Sequence, residues 1–114
     1  MIVHFFKMIL EETGYQVDAA FTGLDAIECA RNHSIDLAIL DYKLSDMTGD
    51  ILARELREIK SDIIIMFITG YSEVKDRILR TNLASHVVVK PIKDDELLDL
   101  VDEAFQGKSM VLKR

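Results

Sequence analysis

The 114-residue sequence contains one cysteine, one proline and no tryptophan. A single cysteine cannot form an internal disulfide, which excludes a disulfide-stapled secreted domain and predicts a reducing, cytoplasmic compartment. Cys29 lies beside apolar helical positions, which favours a small core residue over a reactive thiol. The chain must therefore be held together by an ordinary hydrophobic core.

Long apolar runs and an excess of positive charge are also missing. No apolar stretch approaches the roughly 18 residues that a membrane-spanning helix needs. The apolar start, Met1 to Leu10, has no basic beginning and no small-residue cleavage site, so it predicts a core-facing helix instead of a signal peptide. A net charge of −6 argues against direct binding to nucleic acid or to a membrane surface.

Helical and strand patterns alternate along the chain. Apolar residues at helical spacing predict helices over residues 2–13, 24–33, 50–60, 72–83 and 94–105. Short apolar runs predict strands over residues 15–20, 35–41, 63–69 and 86–89. This alternation implies right-handed crossovers and a parallel sheet, so the predicted fold class is doubly wound α/β. The chain is long enough for one core, and we expect one domain over residues 1–107 and a short tail over 108–114.

Particular side chains are expected to end the helices and to face the core. Gly14 is a good stop for the first helix, and Asp94 or Asp95 is expected to cap the last one. The predicted core-facing residues of the helices from the second onwards are Leu24, Ile27, Ala30, Ile51, Leu52, Leu56, Ile59, Leu97, Leu98, Val101 and Phe105.

Three of the apolar strands end in polar residues, namely Asp41, Thr69 and Lys90. The carboxyl ends of parallel strands lie on one edge of the sheet, where α/β proteins bind their ligands. A carboxylate can attack a phosphoryl group to give an aspartyl phosphate. An ammonium group would neutralise the phosphoryl oxygens and a hydroxyl would donate a hydrogen bond to them. The set therefore predicts a phosphoacceptor site.

Each of these residues also has a simpler interpretation. Asp41 alone would more often cap the following helix, Thr69 would be a turn residue, and Lys90 a solvated amine. Asp46 is interpreted as a solvated loop residue in preference to a metal ligand. The histidines have no zinc-ligand spacing; they are His4, His33 and His86. The phosphoacceptor hypothesis rests on the three strand ends taken together.

Several segments resemble the receiver domain of two-component response regulators. Residues 40–49 (Leu-Asp-Tyr-Lys-Leu-Ser-Asp-Met-Thr-Gly) resemble that family's phosphoacceptor segment. Residues 68–70 and 88–92 resemble its hydroxyl-bearing strand end and its lysine-proline segment, and residues 14–17 and 22–27 fit its first-helix exit and second-helix entry. The likeness runs in register over roughly residues 1 to 105.

This resemblance implies a flavodoxin-like fold and a signalling role instead of enzymatic turnover. Asp41 would take a phosphoryl group from a sensor histidine kinase or a phosphotransfer protein, and Thr69 and Lys90 would sense it. Mg²⁺ would be held by the Asp41 carboxylate and the backbone carbonyl of Lys43. A homodimer is compatible with the family.

The sequence departs from the family pattern at its start. It opens inside the family's first helix, so we expect an N-terminally truncated receiver that lacks the first strand and the adjacent acidic pair. Loss of those oxygen ligands would weaken Mg²⁺ binding, and the strand at 15–20 would lack a neighbour. Val87 stands where the family usually has an aromatic residue. A receiver-like interaction module that acts without phosphorylation is the alternative prediction.

Overall fold

The computed structural model describes residues 2–70, 86–89 and 91–106. The helices in these ranges are α1 (Ile2–Glu12), α2 (Gly23–Asn32), α3 (Gly49–Ile59) and α4 (Asp94–Gln106). The strands are β1 (Leu37–Leu40), β2 (Ile64–Thr69) and β3 (His86–Val89). The chain divides into two compact units, one formed by Met1–Ala19 with Ile92–Arg114 and the other by Ala20–Pro91.

The strands of the Ala20–Pro91 unit form a parallel sheet in the order β1-β2-β3. Leu40 is in register with Phe67, and Thr69 is in register with Val89. All six residues of β2 are buried, as expected for a central strand covered on both faces. Its continuous apolar sequence is therefore explained by its position in the sheet.

The core of this unit lies where α2 and α3 pack next to the sheet residues. Ile27 of α2 and Leu52 of α3 belong to one buried cluster with Phe67 of β2. The full cluster is Ile27, Leu40, Tyr42, Leu52, Ala53, Leu56, Ile63, Ile65 and Phe67. All nine members have apolar or aromatic side chains, and three of them, Leu52, Ala53 and Leu56, lie on α3, so burial of apolar surface stabilises this unit.

In the other unit, α1 and α4 contact each other. Gly14 has a φ of 100°, a left-handed conformation that favours glycine, and the amide of Tyr15 donates to the carbonyl of Leu10. Gly14 thus ends α1 as predicted. The ring of Tyr15 then stacks on Phe105 of α4, with centroids 5.6 Å apart.

The start of α4 differs from the prediction. The carbonyl of Lys93 accepts the first helical hydrogen bond, from Leu97, and Glu96 accepts from the amide of Lys93 at 3.1 Å. Lys93 is therefore the N-cap residue, and Glu96 reaches back to it as in a capping box. Asp95 accepts from the amide of Glu96 instead of capping the helix from outside.

The predicted strand at residues 15–20 is wrong, because this segment joins no ladder with any other described residue. Local β propensity cannot form a strand without a neighbour to supply hydrogen bonds. Three predicted core residues, Leu24, Ile51 and Ile59, are exposed instead, at 65%, 47% and 36%. The predicted helix over 72–83 lies outside the described residues.

Candidate functional site

The structure brings two of the predicted site residues to the carboxyl edge of the sheet. Asp41 directly follows β1, and Thr69 is the last residue of the neighbouring strand β2. Since Leu40 pairs with Phe67, Asp41 is level with Ile68 and Thr69 lies one residue further on. Lys90, which follows β3, lies outside the described residues.

Asp41 is half-buried and begins the loop between β1 and α3. The backbone amide of Lys43 lies 3.4 Å from the Oδ1 atom of Asp41, at the long end of a hydrogen bond. This contact folds the first residues of the loop back over the carboxylate. It therefore orients the carboxylate weakly and still leaves it partly accessible.

The same loop is closed by a short antiparallel bridge between Lys43 and Thr48. The amide of Gly49 donates to the carbonyl of Tyr42 at 2.6 Å, and the amide of Leu44 donates to the carbonyl of Met47 at 3.2 Å. Both hydrogen bonds of the bridge are therefore made by neighbours of Lys43. In such a pair, the carbonyl of Lys43 itself is directed away from Thr48. The loop has a defined shape in which Tyr42 is buried in the core.

The oxygen atoms at this edge suit a hard cation. Mg²⁺ prefers oxygen ligands and is usually held by one or two carboxylates with several waters. The half-buried carboxylate of Asp41 and the outward-directed carbonyl of Lys43 belong to one short turn, joined by the contact from the Lys43 amide to Asp41. These two groups fit the predicted magnesium ligands in chemical type.

Thr69 is fully buried, with an exposed fraction of 0%. By strand alternation it lies on the same face of β2 as Ile65 and Phe67, the face that contributes to the α2–α3 core. Val87 of β3 is in register with Phe67 and packs on the same core.

Asp46 has a role that the sequence reasoning missed. Its Oδ1 accepts a hydrogen bond from the amide of Gly23 at 2.9 Å, and its Oδ2 accepts one from the amide of Leu24 at 3.0 Å. The carboxylate therefore binds the first two amides of α2 from a loop more than twenty residues away in sequence. Asp46 is exposed in its loop, as predicted, but its carboxylate also has these two backbone partners. An aspartate in the loop and a turn-like Thr22 were the only sequence signals.

The two backbone amides lower the pKa of Asp46 below its ordinary value, the amide of Gly23 contributing most. Partial desolvation opposes this shift. Donors that bind the charged form favour it over the protonated acid. The carboxylate is therefore held as an anion at the N-terminus of α2, where the helix dipole also favours negative charge.

Cys29 differs from its predicted place in the core. It is half-buried on α2, and its Sγ atom lies 3.9 Å from the Nδ1 atom of His33. The two residues are four positions apart, which brings their side chains to one face of the helix. A histidine thus lies beside this thiol.

A parallel α/β sheet with a half-buried carboxylate after β1 and a hydroxyl at the end of β2 defines a flavodoxin-like domain with an anionic site at its carboxyl edge. The family model of the response regulator receiver domain matches residues 1–102. The chain belongs to that family. None of the helices in the described parts of the chain is long and apolar enough to cross a membrane.

Curated relatives are longer proteins. The chain is 36% identical over 92 residues to the aerobic respiration control protein ArcA of Escherichia coli, covering 80% of this chain and 38% of the relative. It is 33% identical over 106 residues to the transcriptional regulatory protein DltR of Streptococcus agalactiae, covering 92% and 47%. The chain thus spans less than half the length of these two relatives.

Solved structures share the fold. A CheY-like receiver domain protein from Methanospirillum hungatei superposes with a TM-score of 0.86 at 28% identity, covering 93% of this chain and 86% of the other. The response regulator TrrA of Thermotoga maritima, solved in complex with Mg²⁺ and BeF, gives a TM-score of 0.81 at 33% identity, covering 90% and 89%. The flavodoxin-like fold class predicted from the sequence is confirmed.

Proposed function

We propose that this receiver accepts a phosphoryl group on Asp41 from a phosphohistidine of a sensor histidine kinase or a phosphotransfer protein. The observation that carries the proposal is the position of Asp41, half-buried directly after β1 and beside the central strand that ends in Thr69. Membership of the receiver family supports it. In this proposal the domain is a reversible switch, and the phosphoryl acceptor is its own Asp41 carboxylate.

The proposed step is a transfer between two side chains. A carboxylate oxygen of Asp41 attacks phosphorus, and a new O–P bond forms as the P–N bond to the donor imidazole breaks. The imidazole leaves with the electron pair and takes up a proton from water. The partly accessible carboxylate allows the approach of the donor, and the contact from the Lys43 amide orients one of its oxygens.

The phosphoryl oxygens would be bound by the groups around Asp41. The hydroxyl of Thr69 would donate to one oxygen and the ammonium of Lys90 would pair with another. Thr69 is fully buried at the end of β2, so its hydroxyl would have to turn toward Asp41 to reach the phosphoryl group. Such a movement would couple the covalent change to the central strand, as a new anion favours the conformation that binds it.

Mg²⁺ is proposed as the cofactor, supported by the oxygen groups of Asp41 and Lys43 and by the Mg²⁺-bound relative TrrA. When bound, the cation would neutralise charge on the transferring phosphoryl group. The single cysteine supports a cytoplasmic compartment, and the net charge of −6 supports a protein partner over direct contact with nucleic acid.

Phosphorylation of the purified 114-residue chain with acetyl phosphate tests the proposal. Intact-mass measurement with and without Mg²⁺ is expected to show one added phosphoryl group, dependent on Mg²⁺. Asp41→Asn is expected to abolish it. Asp99→Asn, which removes an exposed carboxylate of α4, is the matched control and should label normally.

Two results would overturn the proposal. A folded wild-type chain that is not labelled by acetyl phosphate and does not bind beryllofluoride would not be a phosphoacceptor. Labelling that persists in Asp41→Asn would place the modification elsewhere. The first result would favour a receiver-like interaction module that works without phosphorylation.

A further inference from the structure

The first turn of α2 is completed by a residue from another part of the chain. A helix leaves its first amides without intrahelical acceptors. Thr22 satisfies the amide of Asp25 through its hydroxyl at 3.1 Å, and the carbonyl of Thr22 accepts the amide of Ala26. The amides of Gly23 and Leu24 are satisfied by Asp46 instead.

Side-chain packing joins the same two segments. Gly23 is buried under Met47, the residue after Asp46, and a Cβ at position 23 would meet the Met47 side chain at less than van der Waals distance. The absence of a Cβ at Gly23 thus allows the Met47 side chain to pack directly on the start of α2. Hydrogen bonds and packing together fasten the β1–α3 loop to the start of α2.

The loop fastened in this way is the one that begins at Asp41. Its other end is held by the bond from the Gly49 amide to the carbonyl of Tyr42, and its middle by the Lys43–Thr48 bridge. Asp41 is thus positioned by β1, which it follows, and by the loop that it begins. The tip of that loop, Asp46, is hydrogen-bonded to the start of α2. Release of the tip would remove the contacts between this loop and α2.

We propose that Asp46 is a positioning residue for Asp41, which fastens the phosphoacceptor loop to the N-terminus of α2. The inference rests on the proposed function of Asp41 for its consequence, but its structural part stands without it. A change of charge at Asp41 would then be transmitted through the loop to the first turn of α2. Phe21 and Leu24 lie at this turn and are 51% and 65% exposed, so a movement of the turn would alter the exposed apolar surface.

Amide hydrogen exchange of the unphosphorylated chain tests the structural part. In Asp46→Ala, the amides of Gly23 and Leu24 lose their acceptor. The hydrogen bonds donated by the amides of Leu44 and Gly49 should open more often, because the loop that contains them is no longer bound to α2. We expect all four to exchange about fivefold to tenfold faster than in the wild type, the usual effect of losing a helix cap. Asp46→Asn keeps one acceptor oxygen and should give an intermediate increase.

Thr22→Ala is the matched control, because it removes a cap from the same helix without touching the loop. It should accelerate the exchange of Asp25 alone and leave Leu44 and Gly49 protected. Two results would overturn the inference. If the exchange of the loop amides is accelerated equally in Thr22→Ala, the effect is fraying of α2. If the exchange of the loop amides is unchanged in Asp46→Ala, Asp46 does not position the loop.

Beryllofluoride tests the consequence. In wild type we expect shifts of the Gly23 and Leu24 amide resonances on adding beryllofluoride and Mg²⁺, and in Asp46→Ala we expect these shifts to vanish. Labelling of Asp41 by acetyl phosphate should slow in Asp46→Ala by up to about a hundredfold, the loss that a misplacement of about 1 Å can cause. If the wild type binds no beryllofluoride, the proposed function fails while the exchange result still decides the positioning role. If binding leaves the α2 resonances unmoved, transmission through Asp46 is refuted.

Discussion

Gly49 lies so close to the main chain of Asp41 that a Cβ at position 49 would be 2.6 Å from the Asp41 carbonyl oxygen. The same Cβ would be 2.7 Å from the Cε1 atom of Phe67, a side chain with no exposed surface. Neither the backbone nor the buried ring is free to move aside. The glycine that ends the phosphoacceptor segment is therefore required by space.

Gly49→Ala is expected to destabilise the domain by about 1–3 kcal/mol, the usual cost of overpacking a close contact. Urea denaturation measures the free energy of unfolding. Gly70→Ala is the control, since no atom of the described residues lies within 4 Å of a Cβ at that position. Equal stabilities of the two variants would contradict the steric argument.

Leu52 and Ile51 are neighbours on α3 with opposite surroundings. Leu52 is 2% exposed within the core cluster, whereas Ile51 is 47% exposed. Leu52→Ala should cost about 2–5 kcal/mol of unfolding free energy because it leaves a cavity. Ile51→Ala, measured by the same urea denaturation, should cost less than about 1 kcal/mol. A larger effect at Ile51 would show that its exposed side chain has an unrecognised packing role.

Periodicity predicted the elements whose patterns are strong. The strand over 86–89 has the predicted bounds, and the helix predicted over 50–60 and the strand predicted over 63–69 are each shifted or shortened by one residue. In α3 and β2, most apolar residues are buried by neighbours in the same unit, so pattern and burial largely agree. Ile51 and Ile59 are apolar but exposed, which shows where periodicity fails. For an apolar residue at the border of a helix's apolar face, the sequence does not tell whether neighbouring elements extend far enough to bury it.

Non-local contacts could not be predicted in this way. The strand at 15–20 depended on a partner that no local pattern supplies. The hydrogen bonds that the amides of Gly23 and Leu24 donate to Asp46 cross more than twenty residues of sequence, so the loop sequence predicts a solvated aspartate but not these partners. The positions of Asp41 and Thr69, by contrast, followed from strand ends alone, because parallel strands place their carboxyl ends on one edge.

The ion pair between Lys60 and Asp36 joins the end of α3 to the segment before β1. Its Nζ–Oδ1 distance is 2.7 Å, and the two side chains are 27% and 47% exposed. A double-mutant cycle with Lys60→Met and Asp36→Asn should give a coupling energy below about 1 kcal/mol, because exposed pairs are well solvated. The coupling should decrease as salt is added. A salt-independent coupling several times larger would indicate a buried pair instead.

Acid should weaken the bond between the loop and α2. The pKa of Asp46 is lower in the folded chain than its ordinary value, so the unfolded chain binds the proton more readily as the pH falls. The contribution of Asp46 to stability is therefore full above the unfolded pKa of about 4 and is lost as the pH falls through the folded pKa. Unfolding free energies of the wild type and Asp46→Asn should converge over this acidic window. A difference that stays constant with pH would contradict the assignment.

Thr69 offers the most direct test of how the phosphoryl group would be sensed. Thr69→Val keeps the buried volume and branching but removes the hydroxyl, whereas Thr69→Ser keeps the hydroxyl and removes a methyl group. If the hydroxyl donates to a phosphoryl oxygen, Thr69→Val should weaken beryllofluoride binding about tenfold or more, the worth of a hydrogen bond to a charged group.

Beryllofluoride titration in Mg²⁺, followed by amide resonances, measures this loss. Thr69→Ser should bind within about threefold of the wild type, because it keeps the hydroxyl that donates the hydrogen bond. Both variants lose core contacts or a buried polar partner, so urea denaturation should show reduced stability in each. Comparable weakening of binding in the two variants would mean that packing at the end of β2, and not the Thr69 hydroxyl, controls the phosphorylated state.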